Sequence, residues 1–326
     1  MTSKFRTLAA SVAIMTAGAG TALATDWDMP MAYPESNFHT QYGHRFADAV
    51  RTCTGGSLNI TIHSGGSLFK GNEIKRAVQI GQAPIGERFL SAHQAENPVY
   101  GVDSIPFLAT SYEDSNRLWD ASKDAIGSAL EKDGLVLIYS APWPAQGLYF
   151  KQEINSVADM KGIKFRAYNA ATSRLAELAG MNPVQIEAAD LAQALATGVA
   201  ASFISSGSTG YDTKIWELLT HFYDTQAWLP RNAVFANKPA YDALSEQEQN
   251  CLQAAGELTS AAATARSEQL AGWYLQQFVD NGMTVAPPSD ALRDELKAFG
   301  ATMTEEWLAS AGETGSAIID AYRAAQ

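Results

Sequence analysis

The chain is short of cysteine: Cys53 and Cys251 are the whole complement in 326 residues. Neither lies in a C-x-x-C or other metal-ligand spacing, which argues against zinc-ribbon and thioredoxin-like chemistry. Basic residues are also few, 23 Lys and Arg against 35 Asp and Glu, for a formal charge of −12. A nucleic-acid binder would carry a basic footprint, and an anionic ligand would need positive groups gathered locally. Beyond the N-terminus no apolar run is long enough for a bilayer-spanning helix. Catalytic signatures are missing as well: no G-x-G-x-x-G after a strand, no G-x-x-x-x-G-K-[ST], no H-E-x-x-H and no G-x-S-x-G. The five histidines, His39, His44, His63, His93 and His221, are scattered. His39 and His44 miss the four-residue spacing that stacks two ligands on one helix face. The run "SSGSTG" at Ser205–Gly210 lacks both the lysine of a phosphate loop and the framed serine of a hydrolase elbow. No catalytic residues, cofactor or metal are therefore expected, and the chain is read as a non-enzyme. A dispersed Ser/His/Asp set is the reading that would overturn this.

What is present begins with an export signal. Lys4 and Arg6 precede a small-residue apolar stretch, and Ala22-Leu23-Ala24 fits the A-x-A cleavage pattern. Residues 1–24 are read as a cleaved leader, with an uncleaved anchor as the other reading, and the mature protein is expected in the periplasm. About 300 residues then remain, more than one compact core accommodates, so two domains are expected. In an oxidising compartment Cys53 and Cys251 can pair; the alternative is two separate buried thiols.

Along the chain, Phe38, Tyr42, Phe46 and Val50 recur at four-residue spacing and predict a helix over 36–53. Leu58, Ile60 and Ile62 alternate as a strand. A helical "GNEIKRAVQIG" leads to a short strand at 84–86, a helix over 112–133 and the strand "GLVLIYS". "PWPAQG" then interrupts the pattern, the best candidate for a first crossing between domains. The alternation restarts with a strand at 164–168, a helix at 170–179, a strand at 184–186, the helix "AADLAQALATG", the strand "AASFIS" and the helix "TGYDTKIWELL". After Pro230 come the strand "NAVFAN" and a helical stretch over 239–282 of unusual length, with a break expected near Gly256, then one or two closing helices. Strands alternating with helices throughout predict an α/β protein with mainly parallel pairing and a long helix spanning both domains.

In α/β domains ligands sit at the carboxyl ends of strands. Here those ends carry Arg166, Tyr168 and Asn169; Ser205, Ser206 and Thr209; Gln226 and Trp228; and, after the strand at 84–86, Glu87 and Arg88. Arg166 admits two readings. Alternation with Ile163 and Phe165 would put Lys164 and Arg166 on a solvated face. Alternatively, the guanidinium points from a strand end at a carboxylate, which it matches with two parallel N–H···O bonds.

The segment "INSVADMKGIKFRAYNAATSRLAELAGMNPVQIEAADLAQALATGV", with "SGGSLFKGNEIKRAVQIGQAPIGE" and "VDSIPFLA", resembles the solute-binding proteins of tripartite ATP-independent periplasmic (TRAP) transporters. The resemblance covers essentially the whole mature chain. It implies a two-domain, periplasmic-binding-protein type II-like fold that closes on its ligand, and delivery to a permease of a large and a small membrane subunit. It also implies that Arg166 clamps the ligand's carboxylate. The expected division is 25–143 plus 232–271 as domain I and 144–231 plus 272–326 as domain II. One departure matters: sialic-acid-binding members carry a second pocket arginine where Gln146 stands here, and an asparagine where Ser205-Ser206 stand. Around the expected pocket lie Tyr33, Trp143, Tyr168, Phe203, Tyr211 and Trp228, each of which could instead pack the core. Their apolar area favours an aromatic or partly apolar carboxylate, with a small hydroxy, keto or sugar acid as the alternative. A ligand-sensing receptor is the alternative to a transport role.

Overall fold

The computed structural model describes residues 24–326; apart from Ala24, the expected leader lies outside the described residues. The chain opens with β1 (Thr25–Pro30), α1 (Phe38–Cys53), β2 (Leu58–His63), α2 (Ile74–Gln79), β3 (Ile85–Phe89), α3 (Tyr112–Lys132) and β4 (Leu135–Pro142). Next follow β5 (Gln146–Phe150), β6 (Lys164–Ala167), α4 (Ala170–Leu178), β7 (Asn182–Gln185), α5 (Leu191–Ala196), β8 (Ser202–Ser206), α6 (Gly207–Asp212) and β9 (His221–Tyr223). It closes with β10 (Arg231–Asn237), α7 (Lys238–Asp242), α8 (Glu246–Asp280), β11 (Thr284–Ala286) and α9 (Asp290–Ala324).

These elements form two domains around separate sheets. One holds the three-stranded sheet β3-β10-β4 beside the parallel pair β1-β2; the other holds six strands in the order β11-β9-β5-β8-β6-β7. The expectation of mainly parallel pairing is corrected. β10 runs antiparallel to β3 and β4, and β5 antiparallel to β8 and β9, while β1-β2, β6-β7, β6-β8 and β9-β11 are parallel. The reversed strands β5 and β10 follow the two direct crossings between the sheets; the third crossing, through α8, delivers β11 parallel to β9. The two crossings run side by side: the amide of Trp143 donates to the carbonyl of Pro230 at 2.8 Å, and that of Gln146 to the carbonyl of Trp228 at 2.9 Å.

Local chemistry explains most boundaries. Asn37 caps α1 by accepting from the amide of His39, and the predicted stripe Phe38, Tyr42, Phe46 and Val50 is buried. The helix expected over 209–219 is instead α6 and a separate single turn, because Lys214 takes a left-handed conformation at φ 48°. The break expected near Gly256 is absent. α8 runs unbroken for 35 residues from a Ser245–Glu248 capping box, and the interruption falls between α7 and α8. Gly256 is instead a packing device, since a Cβ there would lie 2.8 Å from the carbonyl oxygen of Ile138 on β4. Gly256→Ala should therefore destabilise the protein by about 1–3 kcal/mol in denaturant unfolding, despite the higher helix propensity of alanine. A neutral or stabilising result would mean that α8 is not seated that closely.

α8 packs on β4 and α1 near its start and on α6 and β11 further along, so it spans both domains. A disulfide joins Cys53 at the end of α1 to Cys251 in its second turn. α9 follows, kinked at Gly312, and lies against α3 as well as α4.

Candidate ligand-binding site

The β6 segment sorts its side chains sharply. Phe165 and Ala167 are fully buried in the core of the six-stranded sheet, Lys164 is exposed, and Arg166 is only 2% exposed. The solvated-face reading of Arg166 is thus excluded. Its Nε donates to the carbonyl of Ile186 at 2.8 Å, which fixes the plane of the guanidinium. Its terminal nitrogens have no hydrogen-bond partner among the described residues. Burial pushes its pKa down to about 10, so the group is still a cation at neutral pH, one taken out of water without a fully compensating anion. The Tyr168 ring lies beside it, 5.4 Å from the guanidinium carbon.

The wall around Arg166 is built from the two crossings and the neighbouring strand ends. Trp228 Nε1 donates to the Tyr168 hydroxyl at 3.0 Å, and that hydroxyl donates to Gln146 Oε1 at 3.2 Å. Gln146 Nε2 in turn donates to the carbonyl of Pro144 at 3.1 Å. Tyr33 meets Trp143 edge-on with centroids 4.6 Å apart, and Trp143 Nε1 is held by Asn232 Oδ1 at 2.7 Å. Ser205 at the end of β8 and Thr209 in α6 complete one side; Phe89, Ala188, Pro230 and Glu187 complete the other. The cavity encloses about 430 Å³ of empty space, its mouth included.

Seven residues predicted from sequence therefore line one cavity: Tyr33, Trp143, Gln146, Arg166, Tyr168, Ser205 and Thr209. Six others do not. Glu87 and Arg88 lie within β3, not after it, because the strand runs on to Phe89. Both are buried: Glu87 sits 3.3 Å from His39 Nδ1, and Arg88 grips Glu187 through two bonds of 3.0 and 2.9 Å. Asn169 caps α4 and donates to Ser91 Oγ at 3.1 Å; Ser206 caps α6. Trp228 stands behind Tyr168, and Tyr211 packs in an outer aromatic cluster with Trp273 and Tyr274. Phe203 stacks on Tyr149 in the core, and Gln226 is not among the cavity's lining residues. Sequence reasoning missed Glu187, Phe89, Ala188 and Pro230. The strand-end rule, applied to β7, would have found Glu187.

Several contacts join elements that follow different sheets: Arg88 to Glu187, Ser91 to Asn169, and Asn37 to Asp212 at 2.6 Å. Burial pushes the Asp212 carboxyl up to about 6, although its bonds from Asn37 and Ser36 act the other way. A carboxyl raised above its unfolded value, about 3.9, contributes stability that is present at low pH and lost as pH rises through about 6. Asp212→Asn cannot charge, yet its Oδ1 can still accept from Asn37 while its Nδ2 donates to the Ser36 hydroxyl. Its melting temperature should therefore fall less than that of the wild type between pH 4.5 and pH 7; an equal fall would place the charge elsewhere.

A family model described as "DctP: Bacterial extracellular solute-binding protein, family 7" matches residues 31–311. A TRAP solute-binding protein from an unidentified marine microbe, specific for pyroglutamate, superposes with a TM-score of 0.92 at 57% identity, covering 93% of this chain and 99% of that one. The Bordetella pertussis receptor DctP6, which binds pyroglutamic acid, gives a TM-score of 0.91 at 46% identity, covering 92% of this chain and 100% of its own. A monocarboxylate 2-oxoacid-binding periplasmic protein of Nostoc sp. is 23% identical over 290 residues, 86% of this chain and 78% of its own length.

Proposed function

We propose, for a chain that belongs to family 7 of the bacterial extracellular solute-binding proteins, that the cargo is pyroglutamate or a closely similar cyclic monocarboxylate, held through Arg166. As a TRAP solute-binding protein it captures an organic-acid carboxylate between its two domains and delivers it to membrane permease subunits. The observation that carries the cargo assignment is charge bookkeeping in the cavity. Arg88 and Glu187 neutralise one another in a two-bonded pair, while Arg166 keeps two terminal nitrogens without a partner among the described residues. One uncompensated cation in a small, partly aromatic cavity suits a single carboxylate on a compact, partly apolar body. A dicarboxylate would bring a second charge with nothing to pair it. The identity to two pyroglutamate receptors, 57% and 46%, supports the same choice.

The division we assign is 25–143 plus 232–271 for domain I and 144–231 plus 272–326 for domain II. Supporting it, the start of α8 packs on β4 and α1 and its later part on α6 and β11. Arg166, Tyr168, Glu187, Ser205 and Thr209 then come from domain II, while Tyr33, Phe89 and Trp143 close over the ligand from domain I. Ligand favours this closed arrangement only by its differential affinity for it. The cross-domain pairs Arg88–Glu187 and Asn37–Asp212 add to it. Export through a cleaved leader and binding without turnover complete the reading.

The experiment is a thermal-shift panel on the purified mature protein, with pyroglutamate, 2-oxoacids, dicarboxylates and sugar acids. Tight ligand raises the midpoint by mass action. The largest shift is expected with pyroglutamate, and none with dicarboxylates. A shift confined to 2-oxoacids or sugar acids would sink the cargo assignment.

A further inference from the structure

Resting on the pyroglutamate reading, the geometry points to Glu187 as the residue that selects the ligand's ring N–H, and so to a site that separates lactam acids from their oxygen analogues. In a ring acid of this class the N–H is attached to the carbon that bears the carboxylate. Its acceptor must therefore stand beside the cation that holds the carboxylate. Glu187 lines the same cavity as Arg166, and its charge is among those acting on that guanidinium. A carboxylate offers about four lone-pair sites. Arg88 occupies two of them, one on each oxygen, at 3.0 and 2.9 Å. The rest have no partner among the described residues, and the side chain is 27% exposed although Arg88 is buried.

Other acceptors near Arg166 are committed or neutral. The carbonyl of Ile186 takes Arg166 Nε, and Gln146 Oε1 takes the Tyr168 hydroxyl. Ser205 and Thr209 offer hydroxyls that serve as donors equally well, suited to the ring carbonyl. Glu187 alone among the lining residues is an anionic acceptor with no donor capacity. Its position is fixed from behind, since a Cβ on Gly71 would lie 2.6 Å from Arg88 Nη1 and 2.7 Å from Glu187 Oε2. A carboxylate held this way welcomes N–H and repels a ring oxygen or ketone at the same place.

The test is isothermal titration of the full mature protein with L-pyroglutamate and with its lactone counterpart, 5-oxotetrahydrofuran-2-carboxylate. The two differ at the ring atom, N–H in one and O in the other. Wild type should bind the lactone on the order of 100-fold more weakly, as expected where a carboxylate's remaining lone pairs face a ring oxygen in place of a donor. In Glu187→Ala the two affinities should converge to within about threefold, whatever happens to the absolute values. A merely structural role for Glu187 would lower both affinities together and leave their ratio untouched. Glu187→Gln, which keeps one neutral acceptor, should reduce the ratio partially and serves if the alanine variant does not fold. Equal wild-type affinities, or an undiminished ratio in a folded variant, would overturn the assignment. Wild type that binds neither ring would overturn the pyroglutamate reading itself, and this assignment with it.

Discussion

Arg166→Ala is expected to weaken pyroglutamate binding by about 2–5 kcal/mol, the range for breaking a desolvated charge pair by removing one partner. The fold should survive. The one side-chain hydrogen bond of Arg166 among the described residues is that to the Ile186 carbonyl, and burial already disfavours its charge, so apo-protein stability has little to lose. Arg166→Lys is the sharper variant. Lysine restores a positive charge, but its single ammonium cannot bond the Ile186 carbonyl as the in-plane Nε does and present two parallel donors at the same time. Titration calorimetry should therefore find the lysine protein well below wild type. Near-native affinity in Arg166→Lys would mean that the carboxylate is held as a point charge, without the bidentate geometry.

Removing the disulfide is the second large effect. Cys53 and Cys251 are 198 positions apart, so the bond closes most of the chain into one loop in the unfolded state. Chain-entropy arguments then favour the upper part of the usual range, and Cys53→Ser with Cys251→Ser should cost about 2–5 kcal/mol. The position matters beyond entropy. The bond pins the first turns of α8 to α1, and the same helix continues to the six-stranded sheet. Urea unfolding with and without reductant reads the effect directly: the wild type should lose its advantage on reduction and the double variant should not respond. Identical midpoints throughout would show that the bond does not form or constrains nothing.

The parts of this architecture legible from sequence are those where one pattern acts alone. The α1 stripe, the alternating strands and the β6–α4 junction all followed from periodicity and turn residues, and the strand-end rule gathered four lining residues, Arg166, Tyr168, Ser205 and Thr209. It failed where tertiary pairing overrides local pattern. Glu87 and Arg88 read as a strand's aftermath because two charges seldom sit inside a buried strand; they do so here because His39 and Glu187 receive them. Gly256 read as a helix break because its reason, the Ile138 carbonyl on β4, is far away in sequence. The antiparallel strands escaped notice because direction depends on how the chain crosses between sheets, which no local window contains. Beyond following β7, Glu187 carries no local mark of its place, because Arg88, the residue that holds it at the cavity, lies 99 positions away.

The central claim is that a pyroglutamate-class monocarboxylate is captured at Arg166. Titration calorimetry of the mature protein with L-pyroglutamate, wild type beside Arg166→Ala, tests it most directly. The account predicts saturable one-to-one binding in the wild type and a loss on the order of 100-fold or more in the variant. Binding of equal strength in both proteins, or no heat from the wild type while a sugar acid or 2-oxoacid titrates normally, would contradict it.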